Sequence, residues 1–398
     1  MKVRVRSGDT IWYYSQLFYI PIQLIIDSNP SVDPDRLKIG TEIELPGFRK
    51  VDYTVKKGDS FWSLAQNRNI GVDALLLLNE GVEVNKLEIG STLSLPSRIV
   101  FPLVSGKQAY NSQRFEEDLQ GLKEIYPFIK IRSIGESVLG KDLLEIRIGT
   151  GKKKVHLNAS FHANEWITSS ALMTFINDYL LSLTNLSPIR GIHTLPIYGE
   201  VSVSFVPMVN PDGVDLVLNG PPSDKRKECI AINRGSTDFT GWKANIRGVD
   251  LNNQFPAKWE VEKERKEEKV PAPRDFPGYK PLSEPETIAM ATLARQENFD
   301  RLLALHTQGK EFYWGYEGLE PPEAAKLAAD FSRVSGYESV RYIDSYAGYK
   351  DWFIKEFRKS GFTLELGKGI NPLPLSQFNE IYQDVLGIFL VSIYRWYE

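Results

Sequence analysis

Hydrophobic and polar positions divide the chain into stretches of different texture. The first hundred residues alternate in short strands and short amphipathic runs. Val3-Arg4-Val5 and Tyr53-Thr54-Val55 read as strand openings, each followed by a Gly-Asp turn that caps a helix. Second helices follow around Pro21–Asn29 and Val72–Asn79, and closing strands at Glu42–Leu45 and Thr92–Leu95 end at a proline. From about residue 105 apolar strands alternate with longer helical patterns. Gln113–Tyr126 reads as a helix, Leu143–Gly149 and Lys154–Ala159 as strands, and Glu165–Leu183 as a helix. Strands Glu200–Met208 and Leu302–Leu305, helix Pro322–Ser335, strand Gly361–Leu366 and a helical Pro374–Tyr397 complete the pattern. Alternating apolar strands and helices predict an α/β sheet covered on both faces, with its chemistry where strands end in loops.

The front of the chain is a repeat. A gapless shift of fifty positions superposes Gly8-Asp9 on Gly58-Asp59, Trp12 on Trp62, Asn29 on Asn79 and Ile39-Gly40 on Ile89-Gly90. Two small α+β modules of strand-helix-helix-strand order are predicted, at residues 1–47 and 51–97. Trp12 and Trp62, at matching repeat positions, are expected in the module cores. A proline-containing connector, Pro96 to Pro102, separates them from a third domain at 104–398.

Composition narrows the partners. A net charge of -3 carries no basic field for nucleic acid. Cys229 is the sole cysteine, which excludes an intramolecular disulfide and a cysteine zinc cage. No apolar run approaches the ~18 residues that span a bilayer, and Met1-Lys2-Val3-Arg4-Val5-Arg6 lacks an apolar leader. A cytoplasmic protein without a membrane partner is expected. Lys258–Lys269, with five basic and five acidic residues, reads as a solvated loop or helix face.

Four histidines make any imidazole site a short enumeration. His162-Ala163-Asn164-Glu165 follows a strand and opens a helix, so His162 and Glu165 can turn to one side and share an ion. A catalytic zinc takes a further imidazole and leaves a position for water. His306 ends an apolar strand, His156 lies within one, and His193 sits in a loop.

The two repeats resemble LysM modules, on the Gly-Asp-[Ser/Thr]-[Ile/Phe]-Trp opening, the helix-ending Asn and the Leu-x-Ile-Gly close. That resemblance implies binding of N-acetylglucosamine-containing glycan. The third domain resembles zinc carboxypeptidases of the carboxypeptidase A type. The carrying residues are His162-x-x-Glu165, Asn210-Pro211-Asp212-Gly213, Gly248-Val249-Asp250-Leu251-Asn252, Ser283-Glu284-Pro285-Glu286-Thr287, His306 and Thr363-Leu364-Glu365-Leu366. It implies a mixed-sheet carboxypeptidase fold with helices on both faces, one Zn2+ held by His162, Glu165 and His306, and Glu365 as the base. Lys243, following Trp242, takes the place of the family's electrophilic arginine, with Arg247 as the other cation.

The pattern also departs. Where ordinary carboxypeptidases have Asn-Arg, with the arginine pairing the substrate's terminal carboxylate, this chain has Asn252-Asn253. These amides suit amide-rich or zwitterionic groups. The family's mobile tyrosine falls on Tyr346, with Tyr342 the alternative. With the LysM pair, the departures resemble bacterial γ-D-glutamyl-L-diamino acid endopeptidases, which cut between γ-D-glutamate and meso-diaminopimelate or lysine in peptidoglycan peptides. Arg234, Arg247 and Lys368 are cations available to the D-centre of the diamino acid. A muropeptide substrate and association with spore peptidoglycan are the corresponding expectations. The other readings are a carboxypeptidase of ordinary C-termini and a glycan-binding protein with an inactive peptidase domain.

Overall fold

The computed structural model describes residues 1–397 and divides into two compact units. One comprises 1–103, 117–129 and 177–195; the other comprises 104–116, 130–176 and 196–398. Segments 117–129 and 177–195 thus belong to the unit that holds both repeats.

Each repeat is a strand-helix-helix-strand module. The first contains β1 (Lys2–Arg4), α1 (Ile11–Phe18), α2 (Ile22–Ser28) and β2 (Glu42–Glu44). The second contains β3 (Phe48–Thr54), α3 (Phe61–Gln66), α4 (Val72–Leu76) and β4 (Thr92–Arg98). The repeated asparagine has a mechanical role. Asn29 Nδ2 donates to Ile25 O at 2.8 Å and Glu44 O at 2.9 Å, and its Oδ1 accepts from Glu44 N at 2.8 Å. Asn79 repeats this with Leu75 O, Ser94 O and Ser94 N. One buried amide thereby closes the second helix and ties it to the final strand. Thr10 and Ser60 cap the first helices by accepting from Tyr13 N and Ser63 N. The modules are joined by Asp73, which accepts from Arg6 and from Tyr13 Oη at 2.6 Å. Trp12 and Trp62 correct the expectation: they are 64% and 66% exposed. Their neighbours Ile11 and Phe61 fill the cores, because adjacent side chains on a helix point in different directions and only one of the pair can face inward.

After the repeats come α5 (Ser112–Ile125), β5 (Lys130–Glu136), β6 (Asp142–Ile148), β7 (Lys153–Ala159) and α6 (Ile167–Asn185), with α5 and α6 each divided between the two units. Next come α7 (Thr194–Glu200), β8 (Val201–Val206), α8 (Pro211–Asn219), α9 (Arg226–Ile232), α10 (Trp259–Arg265) and α11 (Pro285–Glu297). The chain ends with β9 (Arg301–His306), β10 (Glu311–Tyr313), α12 (Pro322–Ser335), β11 (Glu338–Val340), α13 (Tyr349–Phe357), β12 (Ser360–Glu365) and α14 (Phe378–Tyr394). The strands form one mixed sheet in the order β11-β10-β12-β9-β7-β8-β6-β5. Its centre, β12-β9-β7-β8, is parallel and almost wholly buried, as its continuous apolar runs require. The short strands β10 and β11 and the polar β5 do not stand out in the hydrophobic pattern. The Lys258–Lys269 charge run contains α10.

Glu286, at the start of α11, is fully buried and accepts from Val138 N at 3.2 Å. Burial, reinforced by Asp212 and Glu284, pushes its pKa from 4.5 up to about 7. Between those values the folded chain binds a proton that the unfolded chain releases, so folding stability falls as pH rises from 4.5 to 7. Glu286→Gln removes this penalty. Calorimetry is expected to show a gain in stability at pH 8, on the order of 3 kcal/mol, that shrinks towards zero at pH 4. An equal effect at both pH values would contradict the assignment.

Candidate metal centre and active site

Three parallel strands end side by side. Glu365 on β12 pairs in register with His306 on β9, and Leu305 pairs with Ala159, the last residue of β7. Beyond β7 the chain turns at Ser160, whose φ is 53°, in the left-handed region. The Thr168 and Ser169 hydroxyls hold this turn. A single turn of 3-10 helix, Ala163–Glu165, then carries Glu165 back beneath His162.

Potential ligand atoms of His162, Glu165 and His306 all lie within 4.8 Å of one another. His162 Nδ1 is 2.9 Å from Glu165 Oε1, and His306 Nδ1 is 3.0 Å from Glu165 Oε2. The two Nδ1 atoms are 3.2 Å apart. Two imidazole nitrogens facing each other and one carboxylate form a donor set that a divalent cation satisfies better than a proton does. The surroundings agree. His162 Nε2 faces Asp250 Oδ1 at 3.3 Å, the outer carboxylate commonly found behind a ligating histidine. Burial opposes charge on His162, but Glu165 and Asp250 overcome it and raise its pKa to about 9. The centre therefore favours positive charge where the ligand atoms meet. Burial lowers the pKa of His306. Glu165 stays ionised despite burial because His162, Lys243 and His306 surround it. Thr307 N donates to its Oε2 at 3.2 Å, and Lys243 Nζ lies 3.3 Å from its Oε1.

His162, Glu165, Lys243 and Thr307 line a cavity of about 490 Å³ together with Glu365, Tyr313 and Arg274. Burial, then the nearby Glu165 charge, pushes the Glu365 carboxyl up to about 8. Lys243 lies opposite in charge, its pKa raised because Glu165 and Asp250 outweigh its burial.

The motifs farther from the chemistry are fasteners for the loops. Asn210 Nδ2 donates to Phe161 O at 3.1 Å and Ala244 O at 3.0 Å, tying the His162 loop to the Lys243 loop. Its Oδ1 caps α8 by accepting from Gly213 N. Asn245 Nδ2 donates to Glu284 Oε2 at 2.8 Å, so the acidic start of α11 grips the Lys243 segment.

The structure gathers His162, Glu165, Lys243 and Glu365 on the wall of this cavity, with His306 buried against His162 and Glu165, and places the remaining sequence candidates off the wall. Arg247 reaches Glu284 at 3.4 Å instead. Asn252 Oδ1 accepts from Tyr349 N at the start of α13, and Asn253 is buried in a 3-10 turn. Tyr346 lines a separate cavity of about 430 Å³ with Tyr342, its ring beneath Lys258. Arg234 pairs with Glu268, and Lys368 lies off the cavity wall. Tyr313 and Arg274 are absent from the sequence candidates. The alternation Glu311-Phe312-Tyr313 just after His306 is a faint signal for the first; Arg274, in a proline-rich irregular stretch, has none.

Comparison with known proteins finds two families along the chain. Residues 115–386 match the zinc carboxypeptidase family, and residues 3–46 and 53–96 each match the LysM domain. The chain is 57% identical over 396 residues to gamma-D-glutamyl-L-diamino acid endopeptidase 1 of Lysinibacillus sphaericus, covering 99% of this chain and 100% of that protein. It is 49% identical over 297 residues to the uncharacterized protein YqgT of Bacillus subtilis, covering 73% of this chain and 79% of that protein. Bovine thrombin-activatable fibrinolysis inhibitor superposes with a TM-score of 0.57 at 17% identity, over 72% of this chain and 97% of its own. The carboxypeptidase A of Helicoverpa armigera gives 0.54 at 17%, over 83% and 81%. These two likenesses establish the fold.

If Asp250 orients His162 towards a metal, Asp250→Asn weakens metal binding about 10- to 100-fold, as read by competition with a chelator. Unchanged affinity would contradict that role.

Proposed function

Because the chain belongs to the zinc carboxypeptidase family and carries two LysM domains, we propose that it hydrolyses the γ-D-glutamyl–meso-diaminopimelate (or lysine) bond of peptidoglycan peptides. The observation that carries the hydrolytic reading is the placement of Glu365 in one cavity with Lys243 and with His162 and Glu165, whose ligand atoms meet those of His306. The choice of bond is supported by the full-length likeness to the L. sphaericus enzyme, whose name states it. Asn253, standing where ordinary carboxypeptidases have a carboxylate-binding arginine, supports it from the other side.

His162, Glu165 and His306 would hold one Zn2+. When bound, the ion supplies Lewis acidity, which polarises the scissile carbonyl and makes water acidic enough to act as nucleophile at neutral pH. Glu365 accepts the proton of the attacking water on its carboxylate and returns it to the departing amine. Its buried position keeps that carboxylate basic enough to do both, since a solvated carboxylate near 4 would be a poor base. With a cation held by His162, Glu165 and His306, Glu365 would titrate lower than in the protein alone and would keep its base form available at neutral pH. Lys243 offers an ammonium to the oxygen that gains negative charge. Unlike a guanidinium it presents a single charged point, so it stabilises the oxyanion without a two-pronged grip. Asp250 holds the His162 ring, and Asn210 keeps the His162 and Lys243 loops at a fixed separation.

The LysM modules would bind the N-acetylglucosamine-containing glycan and hold the peptidase at its polymer. Their apposition through Asp73 supports one composite binding body.

Mass spectrometry of L-Ala-γ-D-Glu-meso-Dap digested by the purified protein tests this. Release of L-Ala-D-Glu is expected, abolished by chelator and restored by zinc. Glu365→Gln is expected to lower the rate about 10²- to 10⁴-fold. An intact tripeptide, with ordinary peptides losing one C-terminal residue, would establish a carboxypeptidase instead. No cleavage and no bound zinc would leave a glycan-binding protein with an inactive peptidase domain.

A further inference from the structure

Besides Lys243, Arg274 brings a second permanent cation to the wall of the cavity. Its backbone is held on both sides. Pro273 O accepts from Lys243 N at 2.8 Å and from Ala244 N at 2.9 Å. Asp275 N donates to Asp250 Oδ2 at 3.2 Å, the carboxylate whose other oxygen faces His162. Asp250 N in turn donates to Phe276 O at 2.8 Å. The Arg274 segment is thus bonded along the two segments that carry Lys243 and the residue behind His162. The root of its side chain is as fixed as theirs.

The guanidinium itself is only partly engaged. Arg274 Nε donates to Asp275 Oδ2 at 2.9 Å, while Asp275 also pairs with Lys266 at 3.2 Å. Its terminal NH2 groups bond no acceptor among the described residues, and the side chain is 56% exposed. A guanidinium beside an ammonium is repelled by it, and Arg274 acts on Lys243 in that sense. An anionic group entering between them relieves the repulsion and meets a planar fork matched to a carboxylate.

We propose that Arg274 binds a substrate carboxylate on the Lys243 side of the scissile bond. Resting on the γ-glutamyl reading above, this is the free α-carboxylate of the D-glutamyl residue. In a γ-linked glutamyl group the scissile carbonyl lies at the end of the side chain. The α-carboxylate is then three saturated carbons from it, within reach of a cation next to the electrophile. A peptide bond through an α-carboxyl has no anion at that place. Arg274 therefore selects the γ-linkage from the acyl side, whereas the carboxylate clamp missing at Asn253 would have met the carboxylate of the leaving residue.

The zinc-loaded full-length protein and its Arg274→Gln and Arg274→Lys variants are compared on L-Ala-γ-D-Glu-meso-Dap and on the analogue in which the D-glutamyl α-carboxylate is a carboxamide. Calorimetric binding of L-Ala-D-Glu and of L-Ala-D-isoglutamine accompanies the kinetics. Arg274→Gln is expected to lose roughly 10- to 100-fold in kcat/KM on the carboxylate peptide and to be nearly unchanged on the carboxamide. Arg274→Lys is expected to recover part of the loss. L-Ala-D-Glu affinity should fall in step in Arg274→Gln, while L-Ala-D-isoglutamine affinity stays constant. Equal losses on both peptides, or none on either, would overturn the proposal. Cleavage of neither peptide by the wild type, with Arg274-dependent binding of L-Ala-D-Glu retained, would remove the reaction assigned above and keep the carboxylate site.

Discussion

Glu165 is a charged carboxylate almost wholly removed from solvent, and the active-site region is arranged around keeping it ionised. An isolated buried carboxylate would neutralise itself. Here two imidazole nitrogens, an ammonium and a backbone N–H converge on its two oxygens. Each of those groups needs its own support, and Asp250 behind His162 supplies one such second layer. The acid that must stay charged and the acid that must take up a proton and give it back occupy the same cavity. Glu365 is the second, pushed upward by the burial and the negative charge that its neighbour tolerates. Two like groups with opposed protonation preferences are the general mark of an acid-base site.

The sheet determines where this can happen. At the shared carboxyl edge of β7, β9 and β12 three loops leave side by side. His306 and Glu365 occupy equivalent ends of paired strands, so their separation is set by backbone hydrogen bonding and not by side-chain packing. The remaining participants come from irregular segments, which have no ladder to hold them. Asn210 and Asn245 serve that purpose as buried amides, each bonding two or more elements. Motifs that touch no reacting atom thus fix the positions of those that do.

How much of this is legible in the amino-acid order follows the same division. The central strands and the longer helices announce themselves by periodicity, and Pro322–Ser335 coincides with α12. His162, Glu165, His306 and Glu365 lie on regular elements or their immediate ends, at family spacing, and they meet in space. Lys243 is found through its neighbour Trp242. Residues that reach the cavity from irregular backbone are not legible, and Arg274 is the clearest instance. Its position depends on hydrogen bonds from Lys243, Ala244 and Asp250 that no local pattern encodes. Arg247 shows the converse: chain proximity to Lys243 places it beside Glu284, away from the cavity. In the repeats the Asn29 and Asn79 clamps explain a shared residue type. Trp12 and Trp62 show that repetition of a large apolar side chain does not by itself put it in a core.

The account stands on one cation joining His162, Glu165 and His306. Anomalous diffraction at the zinc absorption edge, from crystals of the full chain grown with zinc, locates that cation without reference to activity. A single peak about 2.0 to 2.2 Å from the Nδ1 atoms of His162 and His306 and from a Glu165 oxygen is the predicted result. Absence of a peak there, or a peak bound by other side chains, would contradict it.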